Sequence, residues 1–225
     1  MLPTIALLPS PLLGPVVWEP VAAVLREQRW STFVADLPSE ISTSQDVLDA
    51  VGSQLPRKDL VLVPHSNIGL FVPALAELVR PVATVFVDAA LPGPGAATTL
   101  APPRFLEFLT GLADHQGRLP PWVEWWEDEE LHGLFPDAAW RRRVEAAGRR
   151  LPLTYFTSTV RVPAGWADHP CAYLGFAGTY ADEQSQARNR GWPVQVIDGG
   201  HLHMLHAPEA VVDGIVELLG RLGVT

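Results

Sequence analysis

The chain has 225 residues, of which 48% are hydrophobic and 18% charged, with a formal net charge of −9; that fits one domain, or one domain with an insertion, and excludes a disordered chain. An acidic balance with no basic patch argues against a nucleic-acid partner, and the apolar runs are too short to span a membrane. The single cysteine, Cys171, excludes an internal disulfide, and no Cys-x-x-Cys pair or Gly-Lys-Ser phosphate loop suggests a cofactor.

Residues 4–8 form a first apolar run; broken by prolines and lacking a basic stretch ahead of it, this segment reads as a strand and not a signal peptide, so a cytoplasmic protein is expected. Residues 18–26 follow at helical spacing, then a short strand at 32–35 and a helix at 44–51 with Ser44 as a candidate cap. Residues 60–63 form a fully apolar strand and 84–87, Thr-Val-Phe-Val ending at Asp88, a largely apolar one, and the two flank a helix at 68–79. Such runs suit strands covered on both faces. From about Leu91 to Pro163 the alternation stops, and a Pro/Gly loop leads into helices with no clear strand pattern. It resumes with a strand at 171–176, a helix at 181–190 and a strand at 193–197. A last helix opens at Pro208-Glu209, with proline and an acid in its first turn. The expected fold is therefore α/β: a mainly parallel sheet flanked by helices, with a helical lid inserted after the strand ending at Asp88. Residues 1–92 and 166–225 would form the core and 93–165 the lid.

Two segments can carry chemistry. In Leu62-Val63-Pro64-His65-Ser66-Asn67-Ile68-Gly69 a strand runs into a helix with serine at the turn. That is the context of a nucleophile elbow, which lifts the hydroxyl off the sheet beside the free N–H groups of a helix start. The usual Gly-x-Ser-x-Gly is altered: Pro64 and Ile68 stand at the glycine positions and Gly69 comes one place late. The competing reading is a Ser/Asn helix cap. In Asp198-Gly199-Gly200-His201-Leu202-His203-Met204, two glycines precede His201 after the last strand, where an imidazole can reach Ser66 and act as general base. The competing reading is a loop histidine that only packs. His203 is a candidate pocket residue; with His206 it has metal-like spacing, but no carboxylate or further histidine completes a site, so no metal is expected.

These segments resemble the α/β-hydrolase superfamily over nearly the whole chain. Leu7 to Gly14 with Trp18 and Pro20 resembles its oxyanion loop, Ala35-Asp36-Leu37-Pro38 the end of its next strand, and Phe86 to Pro92 the strand after the elbow in small esterases and hydroxynitrile lyases. Gly200-His201 with Met204, Pro208 and Glu209 resembles its catalytic histidine segment, and the order serine then histidine also fits. The resemblance implies Ser66 as nucleophile, His201 as base and a triad acid. It places that acid near Thr179, where none stands; Asp88 is the preferred candidate and Asp182 the alternative, with Glu183 beside it. The oxyanion loop carries Pro9-Ser10 for the usual His-Gly, and Pro11 has no N–H, so the implied donors are Leu12 or Leu13 with Asn67. The lysine of the hydroxynitrile lyases is missing, since Lys58, the only lysine, lies ahead of its strand.

The insertion holds an aromatic cluster. On a helix Trp122 shares a face with Trp125 or Trp126, while Trp125 and Trp126 are about 100° apart. Trp122 and Trp126 are candidate substrate-binding residues, as the roof of an apolar pocket or as lid core. The expected function is a serine hydrolase (esterase, thioesterase or lactonase) taking a small, largely apolar acyl substrate without a cofactor. The alternatives are a non-hydrolytic lyase, cyclase or isomerase of secondary metabolism, and a catalytically inactive binding module.

Overall fold

The computed structural model describes residues 2–224. In chain order its strands are β1 (Thr4–Leu8), β2 (Thr32–Val34), β3 (Leu60–Ser66), β4 (Ala83–Ala89), β5 (Ala97–Thr99), β6 (Thr159–Arg161), β7 (Cys171–Phe176) and β8 (Val194–Ile197). Six of them form one wholly parallel sheet in the order β2-β1-β3-β4-β7-β8. Every residue of β3, β4 and β7 is buried, as expected of strands with helices on both faces.

The helices are α1 (Glu19–Glu27), α2 (Ser44–Gln54), α3 (Val72–Val79), α4 (Pro103–Leu112), α5 (Asp128–Leu131), α6 (Ala138–Ala147), α7 (Leu153–Thr157), α8 (Ala181–Asn189) and α9 (Pro208–Arg221). The α2 cap is Thr43 and not Ser44: Thr43 and Asp46 exchange hydrogen bonds in a capping box, and Ser44 is the first helical residue. No described helix is long and apolar enough to cross a membrane.

From β1 the chain steps outward to β2, then returns past β1 to β3 and β4. Right-handed crossovers in opposite directions lie on opposite faces, so α1 pairs with α9 on one face and α2 with α3 on the other. The reversal falls between β1 and β3. Loops leaving the carboxyl ends of these strands diverge there and open a crevice. Leu12 follows β1 and Ser66 ends β3, so the candidate residues stand at this crevice.

The segment between β4 and β7 is less purely helical than expected. β5 and β6 pair antiparallel, Ala97 opposite Arg161, and so close the entry and exit of the insertion against each other. Between them lie α4 to α7 and a 3-10 turn at Trp122–Trp125.

Candidate active site

Ser66 closes β3 with φ 63° and ψ −138°, a conformation rarely held by a residue with a side chain. A 3-10 helix, Asn67–Phe71, follows at once and runs into α3. Pro64 pairs with Leu8 of β1, and the β3–β4 ladder has an irregularity one step later, between His65 and Ser66, next to the elbow. The close approach that the second glycine normally serves has moved one place along. A Cβ on Gly69 would lie 2.2 Å from the Ala90 carbonyl oxygen. The Asn67 side chain is committed, its Nδ2 donating to the Leu100 carbonyl at 3.1 Å and its Oδ1 accepting from the Tyr155 hydroxyl at 2.5 Å. What it can offer a ligand is its backbone N–H, an orphan donor at the helix start.

Asp88, near the end of β4 at φ 39°, is fully buried. Its Oδ2 lies 2.6 Å from His201 Nδ1, and its Oδ1 accepts the Phe176 N–H at 3.0 Å. With Nδ1 donating to Asp88, the neutral imidazole presents a lone pair at Nε2, the form a general base needs. Asp182, the alternative acid, is exposed in the first turn of α8 and does not hold His201.

His65 supports this arrangement from below. It is fully buried; its Nε2–H donates to the His201 carbonyl at 3.0 Å and the two rings stack at 4.5 Å. Burial, and secondly the neighbouring His201, hold its pKa well below the ordinary imidazole value, so it stays neutral. Its sequence position shows nothing of this role.

Tyr180 is the other residue that sequence reasoning missed. Its hydroxyl is 3.4 Å from Ser66 Oγ, and its ring lies 5.6 Å from that of His201. Burial, chiefly, raises the pKa of this phenol well above its ordinary value. Tyr180 directly follows Thr179, near which the resemblance anticipated an acid, and a lone tyrosine there carries no signal of function.

Two expected roles need correction. Leu13 is not free to hold an oxyanion, because its N–H donates to the Ser10 carbonyl at 3.0 Å as the loop turns. The Leu12 N–H donates to the Ser10 hydroxyl oxygen over a longer 3.3 Å. His203 is not among the residues lining the cavity that holds Ser66. It folds back over Gly199, whose missing Cβ makes room for its ring, and packs on Phe176 at 5.5 Å.

That cavity has a volume of about 680 Å³ and is lined by Leu12, Ser66, Asn67, Tyr180 and His201 below and by Phe105, Trp122, Trp125, Trp126 and Phe156 above. Trp122 reaches to 6.4 Å from His201 and meets Trp126 edge-on. Trp125 is buried, with Nε1 donating to the Pro120 carbonyl at 2.9 Å. Among the described residues no group of three or more His, Cys, Asp or Glu could hold a metal ion.

A search of curated proteins finds no match. Similar solved structures include an extracellular α/β-hydrolase from a Paenibacillus species, described as sharing structural and functional homology with tobacco salicylic acid binding protein 2, at 16% identity over 96% of this chain and 98% of that one (TM-score 0.74). Tomato methylketone synthase I in complex with 2-tridecanone is 14% identical over 99% of both chains (TM-score 0.73). A pyrethroid hydrolase is 15% identical over 98% of both (TM-score 0.72). These likenesses bear on the fold. The model of the alpha/beta hydrolase family matches residues 8–214, and the chain belongs to that family.

Proposed function

We propose that this protein is a serine hydrolase acting on a small, largely apolar ester, thioester or lactone. The observation that carries the reading is the 2.6 Å bond between Asp88 Oδ2 and His201 Nδ1, made beside an elbow serine at the floor of an aromatic cavity. Ser66 Oγ attacks the acyl carbon as its proton passes to His201 Nε2, and Asp88 holds the imidazole in the required tautomer and stabilises the cation that forms. The negative oxygen is met by the Asn67 N–H, and by the Leu12 N–H once the Ser10 hydroxyl turns away. The tetrahedral species collapses, His201 returns the proton to the leaving group, and water repeats the sequence on the acyl-enzyme. The cavity is large enough for a drug-sized molecule and mostly apolar, which favours acyl groups with hydrocarbon character.

The test is covalent labelling by a fluorophosphonate, together with hydrolysis of p-nitrophenyl esters. Wild type should label at Ser66, and Ser66→Ala should lose both the label and about 10³-fold or more in kcat/KM. Wild-type rates in Ser66→Ala would overturn the assignment. A non-hydrolytic reading, a lyase or isomerase, draws on one observation: the hydrogen bond of Ser66 Oγ runs to Tyr180. It requires turnover with no acyl-enzyme and no fluorophosphonate label. It gets no help from lysine, since Lys58 lies just before the amino end of β3 while Ser66 ends that strand.

A further inference from the structure

The site has few hydrogen-bond donors on one side and an additional one on the other. The sheet order separates the two sides. Leu12 follows β1, to one side of β3, whereas Asp88 lies near the end of β4 and Tyr180 and His201 follow β7 and β8, all on the other side. Donors for the negative oxygen belong with Leu12 and Asn67. Tyr180 therefore sits with His201, on the side where the proton is returned and the leaving group departs. Its hydroxyl is 3.4 Å from Ser66 Oγ, and both residues line the cavity.

We propose that Tyr180 is a further catalytic residue, whose hydroxyl hydrogen-bonds the leaving-group oxygen as its bond to the acyl carbon breaks, which suits the enzyme to esters of unactivated alcohols. The inference rests on the serine-hydrolase reading. A partly buried tyrosine hydroxyl seeks a partner, and Ser66 Oγ is the one it has here. When Oγ bonds to the acyl carbon, the leaving oxygen on that same carbon becomes the nearest new acceptor. The proton that completes the alcohol comes from His201; the C–O bond breaks with its electron pair going to that oxygen, and Tyr180 lends a hydrogen bond without losing its proton. Because burial raises the phenol's pKa, it remains a donor throughout the neutral range. An alkoxide-like oxygen needs such a donor, whereas p-nitrophenolate leaves readily without one.

The test compares wild type with Tyr180→Phe on acetyl esters whose leaving groups run from p-nitrophenol to ethanol. The quantity read is kcat/KM, which ends at acylation and so excludes the deacylation step shared by the series. Tyr180→Phe should lose roughly 10- to 100-fold on ethyl acetate, the range of one hydrogen bond to a charged oxygen, and about threefold or less on p-nitrophenyl acetate. The plot of log kcat/KM against leaving-group pKa thus steepens. Parallel plots, with the same loss on every ester, would make Tyr180 a wall of the pocket and overturn the proposal. If Tyr180→Phe does not fold, Tyr180→Leu reads the same differential. Wild type that neither labels with fluorophosphonate nor cleaves any ester would bring down the hydrolase reading and this inference together; labelled, active wild type with parallel plots brings down this inference alone.

Discussion

Ser66 and Asp88 both hold positive φ, at 63° and 39°. Each such conformation costs of order 1–3 kcal/mol and persists only where the surroundings impose it. At Asp88 the imposing partners are the Phe176 N–H on one oxygen and His201 on the other. Asp88→Asn keeps the first partner, but its amide then donates toward Nδ1 and drives the imidazole proton to Nε2, the wrong nitrogen for a base. A loss of about 10³–10⁴ in kcat is expected, with Asp182→Asn within twofold of wild type because Asp182 is exposed. Loss in Asp182→Asn alone would reverse the choice of acid. His65 adds a pH effect. The unfolded chain protonates it below about pH 6.5, while the folded protein, which holds its pKa well below that value, does not. Stability therefore falls as pH drops below about 6.5, by up to roughly 1.4 kcal/mol per pH unit from this group. The melting temperature of His65→Gln should decline less steeply than that of wild type between pH 6.5 and 5; parallel curves would show that His65 is not a buried neutral group. That Ser66, His201 and Asp88 come together was legible in the sequence, because each stands at or shortly after a strand end. The roles of Tyr180 and His65 were not, since they arise from contacts across the sheet with no local pattern. Excluding Pro11 left Leu12 or Leu13 as the implied donor but could not show that Ser10 takes up the Leu13 N–H.

At the scale of elements, the elbow depends on β4 as much as on β3. The Ser66 carbonyl accepts the Ala90 N–H at 3.1 Å, and Gly69 packs onto the carbonyl of that same Ala90. Gly69→Ala would push a Cβ into backbone, and the strain would pass through Ala90 to Ser66. Overpacking of this kind costs about 1–3 kcal/mol, or roughly 2–12 °C in Tm for a chain of this length. A fall in kcat should accompany the fall in Tm; an unchanged Tm would mean that the turn has slack and that Gly69 does not substitute for the displaced glycine of the motif. The long elements were readable because buried strands are unbroken apolar runs and helices show their period. β5 and β6 were not, because three residues cannot display an alternation and only their pairing makes them strands. The tryptophan segment misled for a related reason. Its spacing fits a helix, but Pro120 and Pro121 precede it and the chain makes only a 3-10 turn, extended again by Trp126.

On the scale of the whole molecule, the insertion is tied to the core at several points. Its ends are joined by β5 and β6, the Ser44 hydroxyl of α2 donates to the Thr159 carbonyl at 2.7 Å, and Arg149 reaches across to the carbonyls of Leu37 and Pro38. The exposed Arg143–Glu19 and Arg118–Glu40 pairs add little to this. The three tryptophans beneath the roof then divide by their surroundings. Trp125 is buried against Phe105 and Phe156 with its indole N–H satisfied, so Trp125→Ala should cost stability, about 3–5 kcal/mol. Trp122 and Trp126 are only partly buried and face the cavity, so shrinking either should leave the fold largely intact and remove wall from the substrate. An acetyl group offers that wall little apolar surface. An octanoyl chain offers more, and each methylene it buries is worth about 0.8 kcal/mol, so losing contact for two of them weakens binding about tenfold. Trp122→Ala and Trp126→Ala should therefore raise KM for p-nitrophenyl octanoate by about tenfold while that for the acetate changes less than twofold, and Tm should fall far less than in Trp125→Ala. Equal rises on both esters, with a Tm loss matching that of Trp125→Ala, would make all three tryptophans packing of the roof and leave the apolar acyl preference without its structural basis.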